Sequence, residues 1–371
     1  MNAFTDSPRV PDTVGPARRR RLGAWAVVLM GAVLLAVGVG LVPHVIKAGF
    51  TVTSALSLVL IVGGIVVTAM GARAALRGRH LPVRVVGVAA TLLVVLLAVA
   101  VVAPSVAATH VAPTEVGATP TEVGLEHESV TLHTADGVDL AGWYVPGTNG
   151  AGVVVLHGSG STRSSVLDQA AALVDGGYSV LLLDARGHGD SHGTAMDFGW
   201  NGDLDVAAGI DHLSTRPEVE PDRVGVVGFS MGGEEAIGAA GSDPRIRAVV
   251  AEGATARRSS DKAWLSDVYG WRGAIQERIE AAQYGVTDLL TAASPPTPLR
   301  TAVAGAPDTR FLLITVGNVD DEGRAAAHIR SGSPDQVEVW TVGGAGHTGG
   351  FDAGPAEWQR RVVGFLDRTL D

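Results

Sequence analysis

Val224 to Val227 run directly into Gly228-Phe229-Ser230-Met231-Gly232-Gly233, with helix-forming sequence from Glu234 onward. A G-x-S-x-G between a strand and a helix predicts a sharp turn. It holds the serine outward, admits neighbouring chain beside the glycines, and places a helix N-terminus under any negative charge that develops. A serine hydroxyl is a weak nucleophile near neutral pH, so it needs a base with a pKa near 7, and imidazole is the suitable side chain. His347 meets that need. It follows the last strand-like run, in Gly343-Gly344-Ala345-Gly346-His347-Thr348, a glycine-rich stretch able to bend back over the serine. Ser230 as nucleophile and His347 as general base are the expected reacting pair.

Such a pair has to be carried on regular elements, and the sequence after residue 128 supplies them. Val130 to Thr134 and Leu140 to Val145 flank Asp136-Gly137, which reads as an antiparallel hairpin. The apolar runs Gly152 to Leu156, Val180 to Leu183, Val224 to Val227, Ala248 to Ala251, Phe311 to Val316 and Val337 to Val342 follow, separated by helix-length segments. That alternation predicts a mainly parallel sheet with helices on both faces. Between the fourth and fifth runs lies an insertion, about 255–300, in which Trp264, Val268, Trp271, Ile275, Ile279, Ala282, Val286 and Leu289 recur at steps of three or four. It reads either as a helical cap that walls the substrate pocket or as a helix packed on the sheet. Trp358 to Leu370 reads as a final amphipathic helix.

Residues 128–371 resemble the α/β-hydrolase superfamily. Besides the serine elbow and Gly346-His347, the resemblance rests on His157-Gly158-Ser159-Gly160 after one strand and on Asp184-Ala185-Arg186-Gly187-His188-Gly189-Asp190-Ser191 after the next. The hairpin ending Gly142-Trp143-Tyr144-Val145-Pro146 is similar to the dienelactone-hydrolase-like and prolyl-oligopeptidase-like bacterial branch. The resemblance implies a third triad member after the strand preceding the histidine strand, in Gly317-Asn318-Val319-Asp320-Asp321-Glu322. There the G-x-x-D spacing favours Asp320, with Asp321 as the alternative acid, while Glu252 ends an earlier strand where some relatives carry theirs. It also implies an oxyanion hole from the backbone N–H groups of Ser159 and Met231. Asp184, His188, Asp190 and His192 then belong to a structural turn and not to a metal site, and His157 is structural. No cofactor and no metal are expected.

The front of the chain is of a different kind. Residues 1 to 109 hold ten Lys/Arg against two Asp/Glu, which leaves 18 and 36 for residues 110 to 371, a net of −18. So acidic a surface would repel a polyanion, which excludes nucleic acid as a partner. With no cysteine in the chain, disulfides and thiolate catalysis are excluded as well. Leu22 to Val42, Phe50 to Gly71 and Val85 to Ala107 contain no charged residue, and each is long enough to cross a bilayer. Three such runs in succession fit neither a soluble core nor a cleaved signal peptide.

The expected organisation is a basic cytoplasmic N-terminus (1–21), a three-helix transmembrane region (22–108), a linker (109–127) with PTEVG at Pro113 and again at Pro120, and the catalytic domain (128–371). Arg18 to Arg21 before the first span and Arg73, Arg77, Arg79 and Arg84 around the second loop predict that these segments stay cytoplasmic. That makes a multi-pass protein of the cell membrane with its catalytic domain on the outer side. The function expected is a membrane-anchored serine hydrolase cleaving a small-molecule or lipid ester through an acyl-enzyme. A thioesterase or serine peptidase of the same fold is the alternative. A rival of another class is a non-enzymatic sensing or binding protein, whose mark would be a damaged triad. Oligomeric state is not legible.

Overall fold

The computed structural model describes residues 16–371. Of the expected N-terminal segment 1–21, the first fifteen residues therefore lie outside the described residues. Helix α1 (Pro16–Gly40) continues through the short α2 (Val42–Ala48), and α3 (Val52–Leu76) and α4 (Leu81–Thr109) follow. Three helical stretches, Arg19–Ala48, Val52–Leu76 and Leu81–Thr109, are long and apolar enough to cross a membrane. α1 and α3 touch through glycines spaced seven apart, Gly31 and Gly38 on one and Gly64 and Gly71 on the other. A Cβ on Gly31 would stand 2.5 Å from the Thr68 nitrogen, and one on Gly64 equally close to the Leu35 nitrogen. The two backbones thus meet without intervening side chains, and Ser57 Oγ donates to the Gly38 carbonyl across the seam (2.8 Å).

The second part is an eight-stranded sheet. In chain order its elements are β1 (Glu128–His133), β2 (Asp139–Val145), β3 (Gly152–Leu156), α5 (Leu167–Asp175), β4 (Ser179–Leu183), α6 (Gly202–Leu213), β5 (Val224–Phe229), α7 (Met231–Ala240), β6 (Ile246–Glu252), α8 (Leu265–Tyr269), α9 (Trp271–Leu290), α10 (Leu299–Gly305), β7 (Arg310–Val316), α11 (Asp320–Arg330), β8 (Val337–Val342), α12 (Gly350–Ala353) and α13 (Pro355–Leu370). The strand order is β1-β2-β4-β3-β5-β6-β7-β8. Only β1–β2 and β2–β4 pair antiparallel. The expected hairpin and all six expected runs are strands of this sheet, each within two residues of its expected ends.

β3, β4 and β5 are buried along their whole length on both faces, so they read as unbroken apolar runs and not as alternating ones. One face carries α6, α7, α10 and α11 over a core that includes Leu181, Val226, Ile237 and Phe311. The other carries α5 and α13 over Val153, Val227, Trp358 and Phe365. The chain runs from β3 to β4 in one direction and then reaches β5 on the other side of β3. The crevice for a site therefore opens at the carboxyl ends of β3 and β5.

The segment 109–127, expected as a spacer, is laid onto the domain. Val111 N donates to Thr194 O (2.8 Å) and Met196 N to Ala108 O (3.1 Å). Ala112 and Pro120 are buried, and Val116 and Leu125 pack against the core below α5 and α13. Lys47, at the end of α2, donates to the Gly160 carbonyl (2.6 Å) and to Thr114 Oγ1 (2.7 Å). The sheet domain thus sits at the end of the helices where α2 turns into α3 and where α4 finishes. The turn bearing Arg77 and Arg79 lies at the opposite end.

Candidate active site

Ser230 joins β5 to α7 at φ 53°, ψ −119°, a backbone conformation costing a non-glycine residue about 1–3 kcal/mol and kept only where its surroundings over-determine it. The surroundings here are specific. Ser230 N donates to the Glu252 carbonyl at the end of β6 (2.7 Å), and the Ser230 carbonyl accepts from Gly233 N (2.9 Å) and Glu234 N (3.1 Å). A Cβ on Gly228 would lie 2.1 Å from the Gly232 carbonyl oxygen, so the turn closes only with glycine at this position.

His347 Nε2 is 2.9 Å from Ser230 Oγ, and its Nδ1 is 2.6 Å from Glu322 Oε1. The second nitrogen must donate to the carboxylate, which leaves Nε2 free to accept the serine proton. The Glu322 carboxylate holds the His347 pKa above the ordinary imidazole value, against the opposing effect of partial burial. Glu322 is itself 1% exposed and its second oxygen accepts from Val316 N (3.0 Å).

This corrects the expectation for the acid. Asp320 and Asp321 do not reach His347: Asp320 is exposed, and Asp321 accepts from the Tyr269 hydroxyl (2.6 Å). The three residues form the first turn of α11, and successive helical residues point about 100° apart, so only one can face the sheet. Glu322 shares its face with the buried Ala325, Ala326 and Ile329, an i, i+3, i+4, i+7 pattern present in the sequence. That stripe was the available signal, since it marks the acid that faces inward. Glu252 has another task. Its buried carboxylate, pushed up by desolvation, accepts from Gly350 N (2.7 Å) and Trp358 Nε1 (3.0 Å), and so anchors the loop that follows His347.

The turn after β3 lies against the serine: a Cβ on Gly158 would be 3.3 Å from Ser230 Cβ. Ser159 is exposed in the cleft, and its hydroxyl donates to Met196 Sδ (3.1 Å). Met231 is buried at the first position of α7, where its N–H has no intrahelical acceptor. Two neutral histidines pin this turn from behind. His157 donates from Nδ1 to the Gly158 carbonyl (2.7 Å) and accepts from Ala185 N (3.0 Å). His188 accepts from Gly160 N (2.9 Å) and donates to the Arg186 carbonyl (3.1 Å). Burial pushes both down to about 4. Asp184 accepts from the Arg163 backbone N (2.7 Å) and guanidinium, Asp190 also pairs with Arg163 (2.6 Å), and His192 lies 3.6 Å from Asp139. The acidic and histidine side chains of this turn are thus occupied in holding chain together.

The cleft around Ser230 measures about 240 Å3 and is lined by the β3 turn, Ser161, Ser165, Gln169, Phe229, His347 and Thr348. Its lining does not come from the insertion. Instead, α9 packs along the last turns of α4, where Ser105 Oγ donates to the Gln283 carbonyl (2.8 Å).

The strand order, the strained serine elbow and the histidine loop are together those of the α/β-hydrolase fold. Residues 147–292 match the family model Hydrolase_4, described as serine aminopeptidase, S33. An uncharacterized protein of Mycobacterium tuberculosis is 37% identical over 118 residues, 31% of this chain and 41% of that one. The thiohydrolase aneE of Aspergillus aculeatus is 32% identical over 133 residues, 33% of this chain and 40% of that one. The chain thus spans about two fifths of the length of these curated relatives. Among solved structures, the esterase Pf2001 of Pyrococcus furiosus superimposes over 71% of this chain and 98% of its own, with TM-score 0.55 and 24% identity, a likeness of fold. The chain thus has the α/β-hydrolase fold, and its residues 147–292 are similar to the Hydrolase_4 family.

Proposed function

We propose that the chain is a membrane-anchored serine hydrolase that cleaves an ester-type bond through Ser230, His347 and Glu322. The observation that carries this reading is the continuous hydrogen-bonded line from Ser230 Oγ through both His347 nitrogens to the buried Glu322. Ser230 attacks the carbonyl carbon while His347 takes its proton. The resulting oxyanion is met by the Met231 N–H and by the turn after β3 at Ser159, each donor being typically worth ~3–4 kcal/mol. His347 then protonates the leaving alcohol. Water, deprotonated by the same nitrogen, releases the acid and restores Ser230.

An oxygen leaving group departs with less assistance than an amine, which favours esters over peptides. The cleft is smaller than the ~300–1,000 Å3 typical of drug-sized ligands, and its serines and Gln169 are polar, which favours a short acyl group. The three apolar helices and the basic turn at Arg77 and Arg79 support insertion in the cell membrane with the catalytic domain on the outer side.

The test is a fluorophosphonate probe on membranes carrying wild type or Ser230→Ala, together with esters of rising acyl length, a thioester and an aminoacyl amide. Labelling of wild type alone, with turnover falling as the acyl chain lengthens, is the expected result. Folded wild-type protein that neither labels nor turns over any of these substrates would sink the hydrolase reading.

A further inference from the structure

A helix on the surface of a water-soluble domain buries its apolar side, and α9 does the reverse. Its inward side is polar. Glu277 accepts from Ser266 N (2.7 Å), Glu280 pairs with Lys262 (2.9 Å), and Thr287 is fully buried. Tyr284 donates to the Ala256 carbonyl (3.2 Å) and stacks on Trp200. Its outward side is apolar: Trp271 is 72% exposed, Ile275 46% and Leu289 84%. With Ala282 and Val286 these residues fall at i, i+4, i+11, i+15 and i+18, one face along the 20-residue helix that a single charged residue, the exposed Arg278 at i+7, interrupts.

The stripe continues an apolar surface already present. α9 lies beside the end of α4, the third helix apolar enough to cross a membrane, and is tied to it at Ser105. Arg272 stands over the Trp271 ring (5.8 Å), a pairing of cation and amphipathic aromatic suited to the level of lipid headgroups. Other contacts turn the same side of the domain toward the helices. Lys47 reaches the turn beside Ser230, and Tyr269, the last residue of α8, holds the α11 turn that carries Glu322.

We infer that α9 is an interfacial helix: its outer stripe sinks into the lipid surface where α4 emerges, and this seats the catalytic face of the domain on the bilayer. The inference rests on the membrane-anchored reading above. It is independent of which bond is cleaved.

The chain has no cysteine, so a single one can be introduced as a reporter. In the full-length Ser230→Ala protein in phospholipid nanodiscs, an environment-sensitive fluorophore would be placed at Trp271→Cys, Leu289→Cys, Leu96→Cys within α4, and Asp308→Cys just before β7, at the end of the strands opposite Ser230. Quenching by nitroxide-labelled lipid would be compared with quenching by aqueous iodide. The expected result is that positions 271 and 289 emit to the blue and are quenched best by a nitroxide near the headgroup, position 96 by one deep in the acyl chains, and position 308 by iodide. Iodide quenching at 271 and 289 with lipid quenching at 96 would overturn the interfacial helix and leave the anchor standing. Lack of lipid quenching at 96 would remove the anchor and the inference with it. Protection of 271 and 289 from both quenchers, with disulfide crosslinking of two unlabelled Leu289→Cys copies, would assign the stripe to a second chain and overturn the inference.

Discussion

Glu322 stands two residues from Asp320 in sequence, yet only Glu322 bears on His347. Glu322→Gln leaves the shape but removes the anion that fixes the imidazole tautomer, so kcat should fall roughly 10²- to 10⁴-fold. The sign of the accompanying pH effect follows from His347. The carboxylate raises the histidine's pKa, so activity, which needs the neutral ring, fades as pH falls through a value above the ordinary imidazole range. In Glu322→Gln the residual activity should lose its acid limb at lower pH, whereas Asp320→Asn should keep the wild-type profile. Steady-state rates from pH 5 to 9 check both. Ser230 and His347 were legible because each type occurs in a distinctive local sequence. The acid was less so: three carboxylates stand in a row, and only the stripe of Ala325, Ala326 and Ile329 distinguishes the inward-facing Glu322 from its neighbours.

At the scale of elements, the turn after β3 is held by groups that carry no chemistry of their own. His157 and His188 are neutral in the fold, with pKa values pushed to about 4, while in the unfolded chain they take a proton near the ordinary value of 6.5. Between those values the unfolded state binds more protons, so the stability they contribute is complete above about pH 6.5 and is lost as pH falls toward 4. His188→Gln can still accept from Gly160 N but cannot protonate. Urea midpoints measured between pH 7 and 4 should therefore fall less steeply in that variant. The strands around this turn were readable from sequence, since β3, β4 and β5 are buried on both faces and spell continuous apolar runs. The role of the insertion was not: periodicity revealed a stripe on α9 but could not say whether it faced the sheet, the cleft or the outside.

Across the whole molecule, the apolar helices are tied to the sheet domain through Lys47, where α4 enters the domain at Ala108, and at Ser105 against α9. Lys47→Met should slow fluorophosphonate labelling of Ser230 in the full-length protein, because the Gly160 carbonyl loses its ammonium partner two residues from Gly158. Lys47→Arg should restore much of the rate. Equal labelling rates in all three proteins would show that the apolar helices leave the turn after β3 unaffected. This link lay beyond sequence reasoning, since nothing in a lone lysine between two apolar runs announces a partner 113 residues away. The segment 109–127 was likewise legible as a boundary by composition, while its docking against the core depends on tertiary fit at Ala112, Pro120 and Leu125.

That docked segment has a consequence for how the protein meets its substrate. A catalytic domain on a slack tether explores a volume, and its encounters scale with bulk concentration. Here the chain from α4 into the sheet is hydrogen-bonded at Ala108, Val111 and Thr114, and Leu125 is packed into the domain, so the serine keeps one height and one facing above the helices. For such a protein seated in a bilayer, the search is two-dimensional. Turnover of any substrate that partitions into the membrane should follow its density per unit area and the lateral diffusion of both partners, so diluting it with inert lipid at constant bulk concentration should slow the reaction in proportion.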